Sequence, residues 1–178
     1  MENSKTLSTA LGQIHFIVRA VPSLDGEYTI ELQVLKPEPI LPPGMSVQRV
    51  RAVFLRAFSL TGFEHLDFSC RFDTEIKGGP ESGECLDAQS WEGKQGIVVV
   101  GTEDGEALSR RMPWIEFLED PLALVEYQKD GLNVPLKKIP AGETIDLHYI
   151  IAENSNPEPV ECSAWYAVDI PHNKLIKD

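Results

Sequence analysis

Three cysteines and four histidines are the side chains of this 178-residue chain best suited to nucleophilic or metal chemistry, and their spacing argues against both. Cys70, Cys85 and Cys162 include no C-x-x-C pair, and an odd number of thiols does not build a disulfide framework. His15, His65, His148 and His172 are scattered, with no His-x-His or H-E-x-x-H pairing, so no metal and no other cofactor is expected. Cys162, His148 and Asp169 would form a thiol site if the two closing segments were neighbouring strands. A reactive thiol needs a positive or helix-terminal setting, however, and Cys162 follows Glu158 and Glu161. The carboxylate pairs Glu103/Asp104 and Glu116/Glu119 fall in turn-like stretches, where open solvent gives acid–base catalysis no shelter. The chain has no G-x-x-x-x-G-K-[ST], no G-x-G-x-x-G after a strand and no G-x-S-x-G. Thr102–Glu106 lacks the alternating oxygen ligands and the terminal glutamate of a calcium loop. Together these absences favour a protein without intrinsic catalysis.

Recognition is the remaining chemistry. In the closing segment Glu161–Ile170, read as a strand, Cys162, Ala164, Tyr166 and Val168 share one face, which leaves Trp165 and Asp169 pointing outwards together. His148 lies opposite Leu147 and Tyr149 and is expected to face solvent. Trp165, Asp169 and His148 are therefore the candidate binding residues, with the exposed tryptophan as anchor. Charge narrows the partner. There are 16 basic and 28 acidic residues, a net of -12, and the acidic excess lies entirely beyond Leu60. Such a surface repels phosphate backbones, so the expected partner is a protein or a second copy of the chain, not nucleic acid. No apolar stretch approaches the eighteen or so residues of a membrane span, and Met1–Lys5 has no leader-like pattern, so a cytoplasmic protein is expected.

The elements that position these residues are read from alternation. Ile14, Phe16, Val18 and Ala20 alternate with polar neighbours, as do Tyr28, Ile30, Leu32 and Val34, which predicts a hairpin through Pro22–Gly26. The prolines of Lys36–Gly44 exclude helix and central strand, leaving a crossing loop or edge cover. Ser46–Leu60 fits helix or strand and is read as a strand because its successor alternates cleanly through Leu66, Phe68, Cys70 and Phe72. A turn at Gly62 would pair Phe54 with Cys70 and set Arg51 against Asp73 and Arg49 against Glu75. Gly78–Ser90 reads as a mobile loop. Ile97–Val100 is continuously apolar and β-branched, which marks a central strand. Pro113–Leu118 is read as a short strand. Leu122–Gln128 is expected to return through Asp130-Gly131 into Leu132–Leu136, with Pro135 on an edge.

Glu143–Ala152 and Glu161–Ile170 are the expected last strands. The run Pro140-Ala141-Gly142-Glu143 before Ile145 resembles the penultimate-strand entry of bacterial immunoglobulin-like and fibronectin-like sandwich domains. That resemblance implies a fold and no activity.

The expectation is a single domain over 1–178, an all-β, mainly antiparallel two-sheet β-sandwich with little helix. Residues 1–11 are expected to be loosely ordered, and 171–178 to form a tail. The leading function is a non-catalytic protein-binding or assembly module. One alternative is a small-ligand carrier or enzyme with a pocket at one end, lined by Gly78–Gly83 and Asn154–Pro159. The other is an acidic toxin-neutralising or regulatory protein.

Overall fold

A computed structural model describes residues 2–117 and 124–175 and resolves the chain into two antiparallel sheets packed face to face. The first has the order β1 (Glu2–Thr9), β2 (Gly12–Pro22), β5 (Phe63–Asp73), β10 (Gly131–Ile139), β9 (Glu126–Gln128). The second has the order β3 (Tyr28–Leu35), β4 (Arg49–Ser59), β11 (Thr144–Asn154), β8 (Gly96–Glu103), β7 (Leu86–Gly93), β6 (Gly79–Gly83). Eleven strands in sheets of five and six exceed the seven to nine of an immunoglobulin domain, so the feature in common is the sandwich itself.

The inner faces are those the alternation marks. Ile14, Phe16, Val18 and Ala20 of β2, with Leu66, Phe68, Cys70 and Phe72 of β5, are buried against Val53 and Leu55 of β4 and Leu147, Tyr149 and Ile151 of β11. Tyr149 ties the layers together: its ring lies 4.8 Å from that of Phe68, and its hydroxyl, at 2.8 and 3.2 Å, is shared between the carbonyls of Phe68 and Leu132.

A second apolar layer covers the outer face of the six-stranded sheet, where Ala52, Val99, Ile150 and Ala152 meet Ala164, Ala167, Val168, Ile170 and Leu175. Strands β4, β8 and β11 are thus covered on both faces, which is why Ile97–Val100 shows no alternation. β8 is central, between β11 and β7.

Several expectations are corrected. β2 and β3 do not pair; Pro22–Gly26 carries the chain from one sheet to the other. Likewise β4 and β5 belong to different sheets: Cys70 pairs with Phe16 and Leu132, and Phe54 with Gln33 and His148. The expected Arg51/Asp73 and Arg49/Glu75 pairs are absent, because both arginines bind Glu153. The physical reason is the inner apolar face that each segment carries, which is buried equally well when the two strands stack across the sandwich as when they sit side by side. Gly62 permits the arch, with φ +80° and a backbone so close to the Ile139 carbonyl that a Cβ would collide with it. Gly78–Ser90 is not a loop but contains β6 and the start of β7, and Pro113–Phe117 is a 3-10 turn instead of a strand.

Of the segment 1–11, expected to be loosely ordered, residues 2–9 form β1 and pair with β2 over its whole length. The tail at 171–178 includes a helical turn, α3 (His172–Leu175), with Leu175 buried. Glu161–Ile170 is not a strand; it holds α2 (Ser163–Val168), whose buried Ser163, Ala164, Ala167 and Val168 follow helical spacing. The turn at Asp130-Gly131 joins β9 to β10 as expected, and Pro135 lies beyond the end of β9, which pairs only as far as Asn133. Leu118, Glu119 and Asp120–Ala123 lie outside the described residues.

Glu153 tests how the two sheets are pinned to each other at one end of the sandwich. It is almost fully buried and accepts from Arg49 (2.7 and 2.6 Å), Arg51 (2.6 Å) and the Ala10 amide (3.1 Å). Removing it strands the Arg51 guanidinium in a largely enclosed site. Glu153→Ala is therefore expected to cost about 3 kcal/mol in urea unfolding, whereas Arg19→Ala, which removes an exposed pair with Glu2, leaves the midpoint nearly unchanged. Equal midpoints for the two variants would contradict this assignment.

Candidate functional site

The C-terminal segment that covers the six-stranded sheet creates two recesses, one on each side of α2. The first is a cavity of about 260 Å³ whose wall includes Cys85, Glu103, His148, Asp169 and His172. His148 does point away from Leu147 and Tyr149, as alternation requires, but that face is covered and the side chain is 2 % exposed. The chain turns at Pro171 and brings His172 over it. The two imidazoles stack with centroids 5.4 Å apart and Nδ1 atoms 3.2 Å apart. Phe54 flanks the His172 ring at 5.9 Å.

Glu103 enters from the end of β8. Its Oε2 lies 3.9 Å from Nδ1 of His148 and 4.0 Å from Nδ1 of His172. The next residue, Asp104, starts α1 (Gly105–Arg111) by accepting the Ala107 amide at 2.8 Å, a side-chain cap that satisfies one of the free amides of the first turn. This fixes Arg111 in the last turn, from which it donates to Glu103 (2.6 Å) and to the Asp146 carbonyl (2.7 Å).

The electrostatics keep both histidines uncharged. Burial, then His172 and Arg111, pushes His148 down to about 3. Burial and Arg111 push His172 below its ordinary value, with Glu103 opposing. Two neutral imidazoles with free nitrogen lone pairs beside a carboxylate are a donor set suited to a borderline metal ion. Among the described residues this is the one group of three or more His, Cys, Asp or Glu at metal-ligand spacing. The expectation that the histidines stay scattered is corrected here: His148 and His172 converge through tertiary structure, with no local motif.

The second recess is a groove of about 750 Å³ between α2 and the outer face of β6, β7 and β8. Glu81, Glu92, Glu158 and Glu161 line it with Trp165 and Tyr166, and among the described residues no lysine or arginine does. Residues 81–82 and 156–158, from the two stretches expected to frame a pocket, are on its wall. Glu158 also accepts the Ala164 amide at 2.7 Å and so holds the start of α2. The exposed Cys162 thiol is raised above its ordinary value, first by local desolvation and then by Glu161, Glu158 and Glu81. That field disfavours a thiolate nucleophile.

The three candidate residues are thus divided. His148 and Asp169 share the first cavity, Asp169 on its exposed rim. Trp165 faces the groove and is not an exposed residue of a sheet. It is half-buried, packs on the outer apolar layer, stands edge-on to Tyr166 at 5.0 Å, and lies so close to Gly83 that a Cβ there would collide with the ring. Cys162 lies on the groove side, away from His148 and Asp169, so the three do not form a thiol site. Cys70 is the buried, inert thiol expected, pushed up to about 12 by burial.

Arg111 was not legible as a site residue, while Glu103 was weighed only in a pair with Asp104 and His172 only as one of four scattered histidines. The one local signal was Asp104 preceding a helix-compatible Gly105–Arg111 run, which would have placed Arg111 about two turns beyond Glu103. Comparison with protein-family models, curated proteins and solved structures finds no match to this chain.

Because Trp165 is part anchor and part core, Trp165→Ala is expected to lose about 2 kcal/mol in urea unfolding, while Tyr166→Ala, which exposes more of its ring, shifts the midpoint far less. Equal shifts would mean that Trp165 does not pack on the outer layer.

Proposed function

We propose that this protein is a non-catalytic binding module whose groove beside α2 takes a basic segment of another protein. The observation that carries this reading is the groove wall itself, with four glutamates, two aromatic rings and, among the described residues, no cationic side chain. Lysine and arginine side chains of a partner satisfy both features at once, pairing with carboxylates at the rim and lying against Trp165 and Tyr166. A second copy of this chain is a poor occupant, since each copy carries a net charge of -12. An acidic regulatory or toxin-neutralising protein is the same reading with a basic enzyme as partner. A cytoplasmic setting belongs to it too, supported by three unpaired thiols; no helix among the described residues is long and apolar enough to cross a membrane.

The test uses a fluorescent Lys/Arg-rich peptide titrated by anisotropy at low and at physiological ionic strength. The double reversal Glu92→Lys/Glu161→Lys is expected to weaken binding at least about tenfold, and salt is expected to weaken the wild-type complex. The control reversal Glu31→Lys/Glu38→Lys, at the opposite edge of the same sheet, changes net charge equally and leaves the groove untouched. Equal losses in the two double variants would reduce the interaction to bulk charge and overturn the groove assignment.

A further inference from the structure

We propose that Glu103, His148 and His172 bind one divalent transition-metal ion of the zinc class, with three protein ligands and a fourth position opening into the cavity beside α2. This site is independent of the acidic groove, lies on the other side of the helix and uses none of its residues.

The spacing carries the argument. The two imidazole nitrogens are 3.2 Å apart and each is about 4 Å from the Glu103 oxygen. Three atoms so placed share a point about 2.2 Å from each of them, against Zn–N and Zn–O bonds of about 2.0–2.2 Å. Drawing the Glu103 oxygen about half an ångström towards the two nitrogens gives the separations of a four-coordinate ion. A purely structural histidine pair accounts for this less well. One imidazole can donate its Nδ1 proton to the other, but Glu103 then stands too far from both for a hydrogen bond while still pointing between them.

The donor set selects the ion. Two imidazoles and one carboxylate suit zinc, cobalt, nickel or ferrous iron, whereas calcium and magnesium require an oxygen cage absent from this site.

The surroundings hold the ligands in place. Arg111, itself fixed to the Asp146 carbonyl, orients the Glu103 carboxylate; Phe54 packs on the His172 ring; and Thr102 donates to the His148 carbonyl at 2.8 Å. Such supporting contacts set ligand direction at metal centres. Arg111 also offsets the charge of Glu103, so a bound dication keeps a net positive field. That field suits water or a small anion at the fourth position, where Cys85 and Asp169 line the wall.

The experiment titrates chelator-treated protein with Zn²⁺ by calorimetry and with Co²⁺ by visible absorption. The wild type is expected to bind one ion, with Co²⁺ giving the intense visible bands of a low-coordinate site. His172→Ala is expected to lower affinity at least about 100-fold and Glu103→Gln at least about tenfold, while His65→Ala, remote from the cavity, leaves it unchanged. Circular dichroism of each variant verifies folding. If His172→Ala does not fold, Glu103→Gln decides. The proposal is overturned if folded wild type binds no ion stoichiometrically, or if the folded variants of the cluster bind as tightly as His65→Ala. None of these outcomes bears on peptide binding in the groove.

Discussion

Burial of β11 on both of its faces is the constraint on which the rest of the structure depends. Towards the inside, Ile145, Leu147, Tyr149 and Ile151 fill the space between the sheets; towards the outside, His148, Ile150 and Ala152 are equally shut off from water. Each large apolar side chain so enclosed is worth about 1.5–3 kcal/mol, and neither face can be left open. The inner face obtains its cover from the five-stranded sheet, with the Tyr149 hydroxyl reaching across to two of its carbonyls. The outer face has no third sheet available. The chain returns instead through α2, Ile170 and Leu175, and their apolar side chains close over it.

Both recesses follow from that second cover. A short helix laid on a twisted sheet meets it along one line and diverges on either side, so α2 leaves an opening towards the outer face of β6 and β7 and another towards the end of β8 and α1. Composition then differentiates the two. The groove side receives Glu158 and Glu161 before the helix and Trp165 and Tyr166 within it. The cavity side receives Val168–His172, and because the layer is closed, any polar residue of the sheet beneath must find a partner there. His148 meets His172 for this reason: the strand register places an imidazole under the cover, and Pro171 sets the following residue down on top of it.

Much of the fold was legible in the sequence, because alternation reports which face of a strand is buried. Ile14–Ala20 and Leu66–Phe72 were read in this way, Ile97–Val100 was read as central from its unbroken apolar run, and all lie where those readings require. What alternation does not report is which strand stands alongside. An apolar face is equally satisfied by a neighbour in its own sheet or by one across the core, so the expected pairs β2/β3 and β4/β5 became arches between sheets. Glu161–Ile170 misled for a different reason. Cys162, Ala164, Tyr166 and Val168 alternate, yet Ala164, Ala167 and Val168 also fit a helix, and small residues against an already complete sheet favour the helix. The site suffered most, because 24 residues separate His148 from His172 and no local spacing encodes their meeting.

The distribution of charge ties the architecture to recognition. Every one of the seven arginines already has a carboxylate partner: Arg19 with Glu2, Arg49 and Arg51 with Glu153, Arg56 with Asp146, Arg71 with Asp130, Arg110 with Glu106 and Arg111 with Glu103. The guanidiniums are used to pin strands and helices to one another, and in doing so they neutralise acids at the joints of the fold. Of the acids left over, four line one groove beside two aromatic rings, without a lysine or arginine on its wall among the described residues. Self-repulsion among these carboxylates makes the unoccupied groove less favourable than the same groove holding a cation, and that difference is the physical basis on which a basic partner is proposed.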